Sequence, residues 1–99
     1  MDLIGKTALV TGAASGIGEG MAVRLAESGV NLAICDLQES IHDVSERIAA
    51  DTGVSIHAAV VDVRNPDGIY GFVKESVSHF SGLDIVIANA GVWRSTDPL

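Results

Sequence analysis

Four short apolar runs at regular intervals constrain the fold of this 99-residue chain more than any other feature. They predict strands at residues 7–11, 31–35, 55–61 and 83–88. The runs are nearly continuous and do not alternate between apolar and polar residues, which is typical of strands buried on both faces of a sheet. Segments with helical periodicity separate them, and strands separated by helices pair in parallel through right-handed crossovers.

Each of the three intervening segments has an apolar stripe at the spacing of an amphipathic helix. The stripes predicted to face the sheet are Ile17, Met21 and Leu25; Ile41, Val44 and Ile48; and Ile69, Phe72, Val73, Val77 and Phe80. Gly29, Gly53 and Gly82 follow the three stripes as helix stops. Asn65 and Pro66 supply a cap and a first helical residue for the third helix.

This order of elements predicts one α/β domain over residues 1–99, the first half of a Rossmann-type doubly wound parallel sheet. The elements alternate β-α-β-α-β-α-β in three α/β/α layers, and the sheet is incomplete. A composition of 47% hydrophobic and 19% charged residues suits a globular domain. Ligands bind such sheets beyond the carboxyl ends of the strands, so the residues that follow each run are the site candidates.

Composition also excludes several classes of function. The net charge of −7 disfavours a nucleic-acid surface, which needs a basic stripe. No apolar run approaches the roughly 18 residues of a membrane span, and the N-terminus lacks a secretory signal pattern, so we expect a cytoplasmic protein without membrane partners. Cys35 lies in an apolar run and is expected to be an inert core thiol. His42, His57 and His79 fit no metal-ligand spacing, so no metal site is predicted.

A glycine-rich turn joins the first strand to the first helix, with the sequence T-G-A-A-S-G-I-G at residues 11–18. Glycines at such a turn allow a tight bend, close approach of the backbone to a pyrophosphate, and close packing of helix on strand. The helix N-terminus then directs its N–H groups at the phosphates. The turn therefore predicts a dinucleotide site with contacts from Gly12, Ser15, Gly16, Ile17 and Gly18.

Asp36 follows the second strand, 18 residues after Gly18. A carboxylate at this position can accept hydrogen bonds from the adenosine ribose hydroxyls, and it repels a 2′-phosphate. Neither Ser15 nor Leu37, its expected neighbours, supplies a cation that would neutralise such a phosphate. The sequence therefore predicts NAD rather than NADP as the cofactor, with a solvated acid that caps the second helix as the alternative reading of Asp36.

The third and fourth strands also end in polar residues, at Asp62-Val63 and Asn89-Ala90-Gly91. Either sequence alone would indicate only a turn. Combined with the glycine turn and Asp36, they give a pattern that resembles the short-chain dehydrogenase/reductase family. The resemblance extends from residue 5 to residue 91, and the glycine spacing resembles the compact oxidoreductase branch. Ala88 departs from the pattern, since many members have an asparagine there.

The resemblance assigns a part of the cofactor to each strand end. It implies that residues 12–18 hold the pyrophosphate, that Asp36 holds the adenine ribose, and that Asp62-Val63 contact the adenine edge. Leu37, the expected neighbour of Asp36, is also predicted to contact the cofactor. Asn89-Ala90-Gly91 would shape the fourth strand and the pocket of the nicotinamide-side ribose.

The catalytic residues of the family are a serine, a tyrosine and a lysine four residues after the tyrosine, and they follow the fourth strand. This sequence ends at Leu99 before any of them, so no catalytic residue is predicted and we expect the chain alone to be inactive. Tyr70 and Lys74 have the tyrosine–lysine spacing, but they lie in the third helix and indicate an ordinary (i, i+4) pair. Trp93 and Arg94 could either contact a substrate or pack.

Three functional hypotheses follow. The first is the NAD-binding portion of an oxidoreductase that interconverts a small alcohol and a carbonyl by hydride transfer, and that is a homo-oligomer when full-length. The second is a non-catalytic nucleotide-binding or interaction module derived from such an enzyme. The third, a methyltransferase, is disfavoured because its glycine turn is usually a tighter Gly-x-Gly. The apolar residues of the fourth strand also predict that an isolated 99-residue chain self-associates through an exposed sheet edge.

Overall fold

A four-stranded parallel sheet forms the centre of the computed structural model, which describes residues 2–89. The elements along the chain are β1 (Thr7–Thr11), α1 (Gly16–Glu27), β2 (Asn31–Asp36), α2 (Ile41–Thr52), β3 (Ile56–Val60), α3 (Pro66–Phe80) and β4 (Ile85–Ile87). The strands lie in the order β3-β2-β1-β4. This order, with helices on both faces, confirms the predicted fold class.

The strand bounds differ from the apolar runs at β2, β3 and β4. Strand β2 includes Asp36, which pairs with Val60 at the last position of the β2–β3 register. Strands β3 and β4 are shorter than the predicted 55–61 and 83–88, because pairing and not hydrophobicity defines the ladder. Strand β4 pairs only with β1 within the described residues, over three positions.

The predicted inward stripe of α1 is wrong. Ile17 is 74% exposed and Met21 is 37% exposed, while Leu25 is half-buried. The side of α1 that faces the sheet consists of small residues: Gly18, Ala22 and Ala26. A Cβ at Gly18 would lie 2.0 Å from the carbonyl oxygen of Gly12, so α1 packs too closely for large side chains to fit between helix and strand.

Helices α2 and α3 match their predicted stripes better. Ile41, Val44 and Ile48 are buried, as predicted. In α3 Phe72 is buried, but Val77 is 42% exposed and Ser76 is buried in its place. The Ser76 hydroxyl donates a hydrogen bond to the Phe72 carbonyl at 2.7 Å, which satisfies this polar group inside the core.

Two apolar clusters pack on opposite faces of the sheet. One lies under α1 and α2 and includes Val10, Leu32 and Ile34, and the other lies under α3 and includes Leu9 and Cys35. Burial, with a smaller contribution from the charge of the neighbouring Asp36, raises the pKa of the Cys35 thiol to about 12. The thiol is therefore protonated near neutral pH and is a core group, which agrees with the prediction that it is inert.

The histidine of β3 belongs to an aromatic cluster on the α3 side. His57 stacks on Phe72 and on His79, with ring centroids 5.5 and 5.4 Å apart. Residues 2–89 contain no group of three side chains placed to hold a metal ion. No helix in the same range is long and apolar enough to cross a bilayer.

Candidate functional site

The parallel register aligns the carboxyl ends of the strands along one edge of the sheet. Thr11 pairs with Cys35, and Asp36 pairs with Val60. Beyond the ladder, the Val61 N–H donates to the Asp36 carbonyl at 2.9 Å. The Asn89 N–H donates to the Thr11 hydroxyl at 2.8 Å. All four strand ends that the sequence singled out therefore lie on the same side of the molecule.

The glycine turn depends on glycine for two different reasons. Gly12 and Gly16 have φ values of 67° and 61°, a left-handed conformation that other residues adopt only at a cost. Gly18 is needed for space, because a Cβ there would lie 2.0 Å from the Gly12 carbonyl oxygen and 2.7 Å from Asn89 Nδ2. Helix α1 thus begins at Gly16, and its first turn lies against the Gly12 backbone and beside Asn89.

The first N–H groups of α1 have no acceptor within the helix itself. Ser15 is the N-cap residue, has extended backbone and makes no side-chain capping bond. Both Ser15 and Ile17 are exposed. Unpaired N–H groups and the positive end of the helix dipole favour an anion at this position.

The carboxylate of Asp36 faces the glycine turn. Its Oδ2 accepts a hydrogen bond from the Ala14 N–H at 3.0 Å, and its Oδ1 accepts one from the Gln38 N–H at 2.9 Å. Asp36 does not cap α2, whose N-cap residue is Ser40, so the alternative reading of this acid is wrong. Leu37, the next residue, is 58% exposed beside it.

The carboxylate of Asp62 is held by an arginine that sequence reasoning missed. Arg64 donates from Nε to Oδ1 at 3.0 Å, from Nη2 to Oδ2 at 3.1 Å, and from its backbone N–H to Oδ1 at 2.9 Å. These hydrogen bonds hold the pKa of Asp62 below its usual value and raise the pKa of Arg64. An Asp-x-Arg spacing in a turn is the only sequence signal for this pair. Val63 packs against the apolar cluster under α3.

The other predicted residues fall partly outside the described range. Asn89 is half-buried beneath the first turn of α1. Ala90 and Gly91 lie outside the described residues, as do Trp93 and Arg94.

The tyrosine–lysine spacing in α3 forms a local surface pair. Tyr70 is 65% exposed, and Lys74 Nζ lies 5.6 Å from the centroid of its ring. This contact is the (i, i+4) pair that the sequence predicted.

A 3-2-1-4 parallel sheet with a glycine turn after its first strand defines the Rossmann-type class of α/β proteins. Residues 6–98 match the short chain dehydrogenase family, and the chain belongs to that family. The family expectation from the sequence is therefore confirmed.

Curated relatives support the same family. The chain is 43% identical over 97 residues to secoisolariciresinol dehydrogenase of Forsythia intermedia, covering 97% of this chain and 34% of the relative. It is 35% identical over 97 residues to 3beta-hydroxysteroid dehydrogenase 2 of Eggerthella lenta, covering 98% and 37% respectively. The chain thus spans about a third of the length of these relatives.

Solved structures show the same fold. The L-sorbose reductase of Gluconobacter frateurii, complexed with NADPH and L-sorbose, superposes with a TM-score of 0.87 at 34% identity, covering 93% of this chain and 36% of the reductase. An NAD⁺-bound xylitol dehydrogenase gives a TM-score of 0.82 at 32% identity, covering 87% and 33%. Similar structures therefore hold either NAD⁺ or NADPH.

Proposed function

We propose that this chain binds NAD and forms the cofactor-binding portion of an oxidoreductase that interconverts a small alcohol and a carbonyl. The observation that carries the proposal is the Asp36 carboxylate, fixed at the end of β2 and turned towards the glycine turn. The relatives and the solved structures described above are named as dehydrogenases or reductases, and these names support the proposed reaction class.

The proposed cofactor lies along the carboxyl ends of the four strands. Its pyrophosphate would rest on the first turn of α1, whose leading N–H groups have no acceptor within the helix itself. The adenine ribose would face Asp36, and the adenine would lie between the ends of β2 and β3. The proposed contact residues are Gly12, Ser15, Gly16, Ile17, Gly18, Asp36, Leu37, Asp62, Val63, Asn89, Ala90 and Gly91.

The preference for NAD over NADP follows from the acceptors of Asp36. A carboxylate offers about four lone-pair positions, and the N–H groups of Ala14 and Gln38 occupy one on each oxygen. The two that remain can accept hydrogen bonds from the two ribose hydroxyls. A 2′-phosphate has no proton to donate at this position and carries a like charge. Arg64, the cation at the neighbouring strand end, is already paired with Asp62.

The bound dinucleotide would supply the hydride acceptor or donor, and the residues of this chain would bind and orient it. We include in the proposal a cytoplasmic location, a homo-oligomeric full-length form, and no turnover by the 99-residue chain alone. Expression of the chain and an assay of alcohol oxidation in the presence of NAD would test the last point directly.

Titration calorimetry of the 99-residue chain with NAD and with NADP tests the cofactor assignment. We expect NAD to bind at least about tenfold more tightly, since a carboxylate and a phosphate in contact repel each other. Replacement of Asp36 by alanine should weaken NAD binding and narrow the difference between the cofactors. The matched control is Glu39→Gln, which removes an exposed carboxylate three residues away and should preserve the difference. Equal affinities of the unmodified chain for both cofactors would refute the NAD assignment.

A further inference from the structure

Asp36 connects two segments that are distant in sequence. Its Oδ1 bonds to the Gln38 N–H, two residues along the chain, whereas its Oδ2 bonds to the Ala14 N–H in the glycine turn. The preceding amide of the turn, Ala13 N–H, donates to the Cys35 carbonyl at 3.2 Å. Two successive amides of the turn are therefore tied to two successive residues at the end of β2.

Burial also restrains the turn, because Ala13 and Ala14 belong to the apolar cluster under α1 and α2. Gly12 and Gly16 bracket the segment and are the residues with the greatest backbone freedom. The Ser15 side chain makes no capping hydrogen bond that would hold the segment. Ala14 is only 7% exposed, so loss of its acceptor would leave a poorly solvated N–H group without a partner.

We propose that Asp36 is a positioning residue for the phosphate-binding turn, in addition to its contact with the adenine ribose. The inference rests on the proposed function and extends it, because one carboxylate then sets both the cofactor class and the shape of the phosphate site. Loss of the carboxylate should therefore weaken the binding of the phosphates, in addition to any loss of binding at the ribose.

A purely electrostatic role for Asp36 predicts the opposite sign. If the carboxylate only repelled nearby phosphates, its removal would strengthen the binding of any phosphate at the turn. If it only bound the ribose, its removal would weaken all adenosine ligands by one common factor. The positioning role alone predicts a loss that is specific to the phosphates.

Adenosine and ADP are the two probes that separate these roles. The dissociation constant of adenosine divided by that of ADP measures how much the diphosphate adds to the affinity. Loss of the ribose contact weakens both ligands equally and therefore does not change this ratio. We expect this ratio to fall about tenfold in Asp36→Ala, as for the loss of one charge-assisted hydrogen bond. Asp36→Asn retains one acceptor oxygen for two N–H groups and should give an intermediate fall. The control Glu39→Gln should leave the ratio unchanged. A ratio that is unchanged or larger in Asp36→Ala would overturn the proposal.

Hydrogen exchange of the ligand-free chain provides a readout that needs no ligand. We expect the Ala14 amide to exchange at least about tenfold faster in Asp36→Ala, while the ladder amides of Val10 and Ile34 keep their protection. Unchanged exchange at Ala14 would contradict the positioning role. If the alanine variant loses protection throughout the sheet, the same comparison is made in Asp36→Asn. If neither probe binds the unmodified chain, the proposed function fails, and the Ala14 exchange rate still decides whether Asp36 holds the turn.

Discussion

Replacement of Gly18 by alanine would place a methyl group inside the contact between α1 and Gly12, the residue that follows β1. The added Cβ would lie 2.0 Å from the Gly12 carbonyl oxygen, 2.8 Å from the Gly12 carbonyl carbon, and 2.7 Å from Asn89 Nδ2. An ordinary contact needs at least about 3.4 Å, so the start of α1 would have to move away from β1 by roughly 1.4 Å. The obstacle is backbone, which cannot swing aside as a flexible side chain can.

The expected cost of this displacement is about 2 kcal/mol of unfolding free energy. Overpacking costs up to roughly 3 kcal/mol, and the 2.0 Å approach to backbone places this contact at that upper end, while alanine recovers up to about 1 kcal/mol over glycine within a helix. For a chain of this size, a loss of about 2 kcal/mol lowers the melting temperature by roughly 10 °C. Thermal unfolding followed by circular dichroism would measure the shift.

Gly20 provides the matched control for this prediction. It lies in the same helix, and a Cβ at this position would meet nothing within 4 Å. Gly20→Ala should therefore be neutral or stabilising by up to about 1 kcal/mol, since only the helix propensity changes. If Gly18→Ala and Gly20→Ala melted at the same temperature, the argument from close backbone packing would be refuted.

Two further predictions concern Asp62 and β4. Arg64 lowers the pKa of Asp62 in the folded chain below the pKa of the same group in the unfolded chain. The pair therefore stabilises the fold at any pH above the unfolded pKa, and this stabilisation is lost as the pH falls through the folded pKa. A carboxyl-carbon NMR titration should therefore give a lower midpoint for Asp62 in the unmodified chain than in Arg64→Gln, and identical midpoints would contradict the pairing. Val86 is 65% exposed on a strand that is an edge of the sheet within the described residues, so the isolated chain should self-associate, and Val86→Lys should reduce the association. Sedimentation velocity across a concentration series checks this, and a strictly monomeric unmodified chain would count against it.

The strands, and the alignment of their carboxyl ends along one edge of the sheet, were predictable because their signals are local and strong. Each apolar run ends within one residue of the end of a parallel strand, and the glycine turn follows the first of them. The C-terminus of α2 was predictable in the same way, since Gly53 has the left-handed φ of 78° that ends a helix. These features depend on hydrophobicity and on backbone conformation, both of which a single sequence expresses directly.

The inward face of α1 was not predictable from hydrophobicity. The stripes that begin at Ile17 and at Gly18 have the same spacing and differ by about 100° around the helix. The larger, more apolar residues were predicted to face the sheet, but the short distance between helix and strand leaves room only for the smaller ones. That distance is a property of the packed structure, and the spacing of apolar residues along the sequence does not reveal it.

The hydrogen bond from the Ala14 N–H to Asp36 was also beyond prediction, because its donor is backbone. Every non-proline residue has such a donor, so no residue type at position 14 signals the contact. The acid itself was predictable, since its position at the end of a strand has chemical meaning. Its orientation required the three-dimensional structure.

The N-terminal end of α1 lies against the backbone of Gly12, the residue that follows β1. Most packed helices are located by interlocking side chains, and each core substitution shifts them slightly. Here the position of the first turn is fixed where Gly18 touches Gly12, before any large side chain contributes. The spacing between the helix and the turn at this point is thus set by two glycines and not by the size of a core side chain.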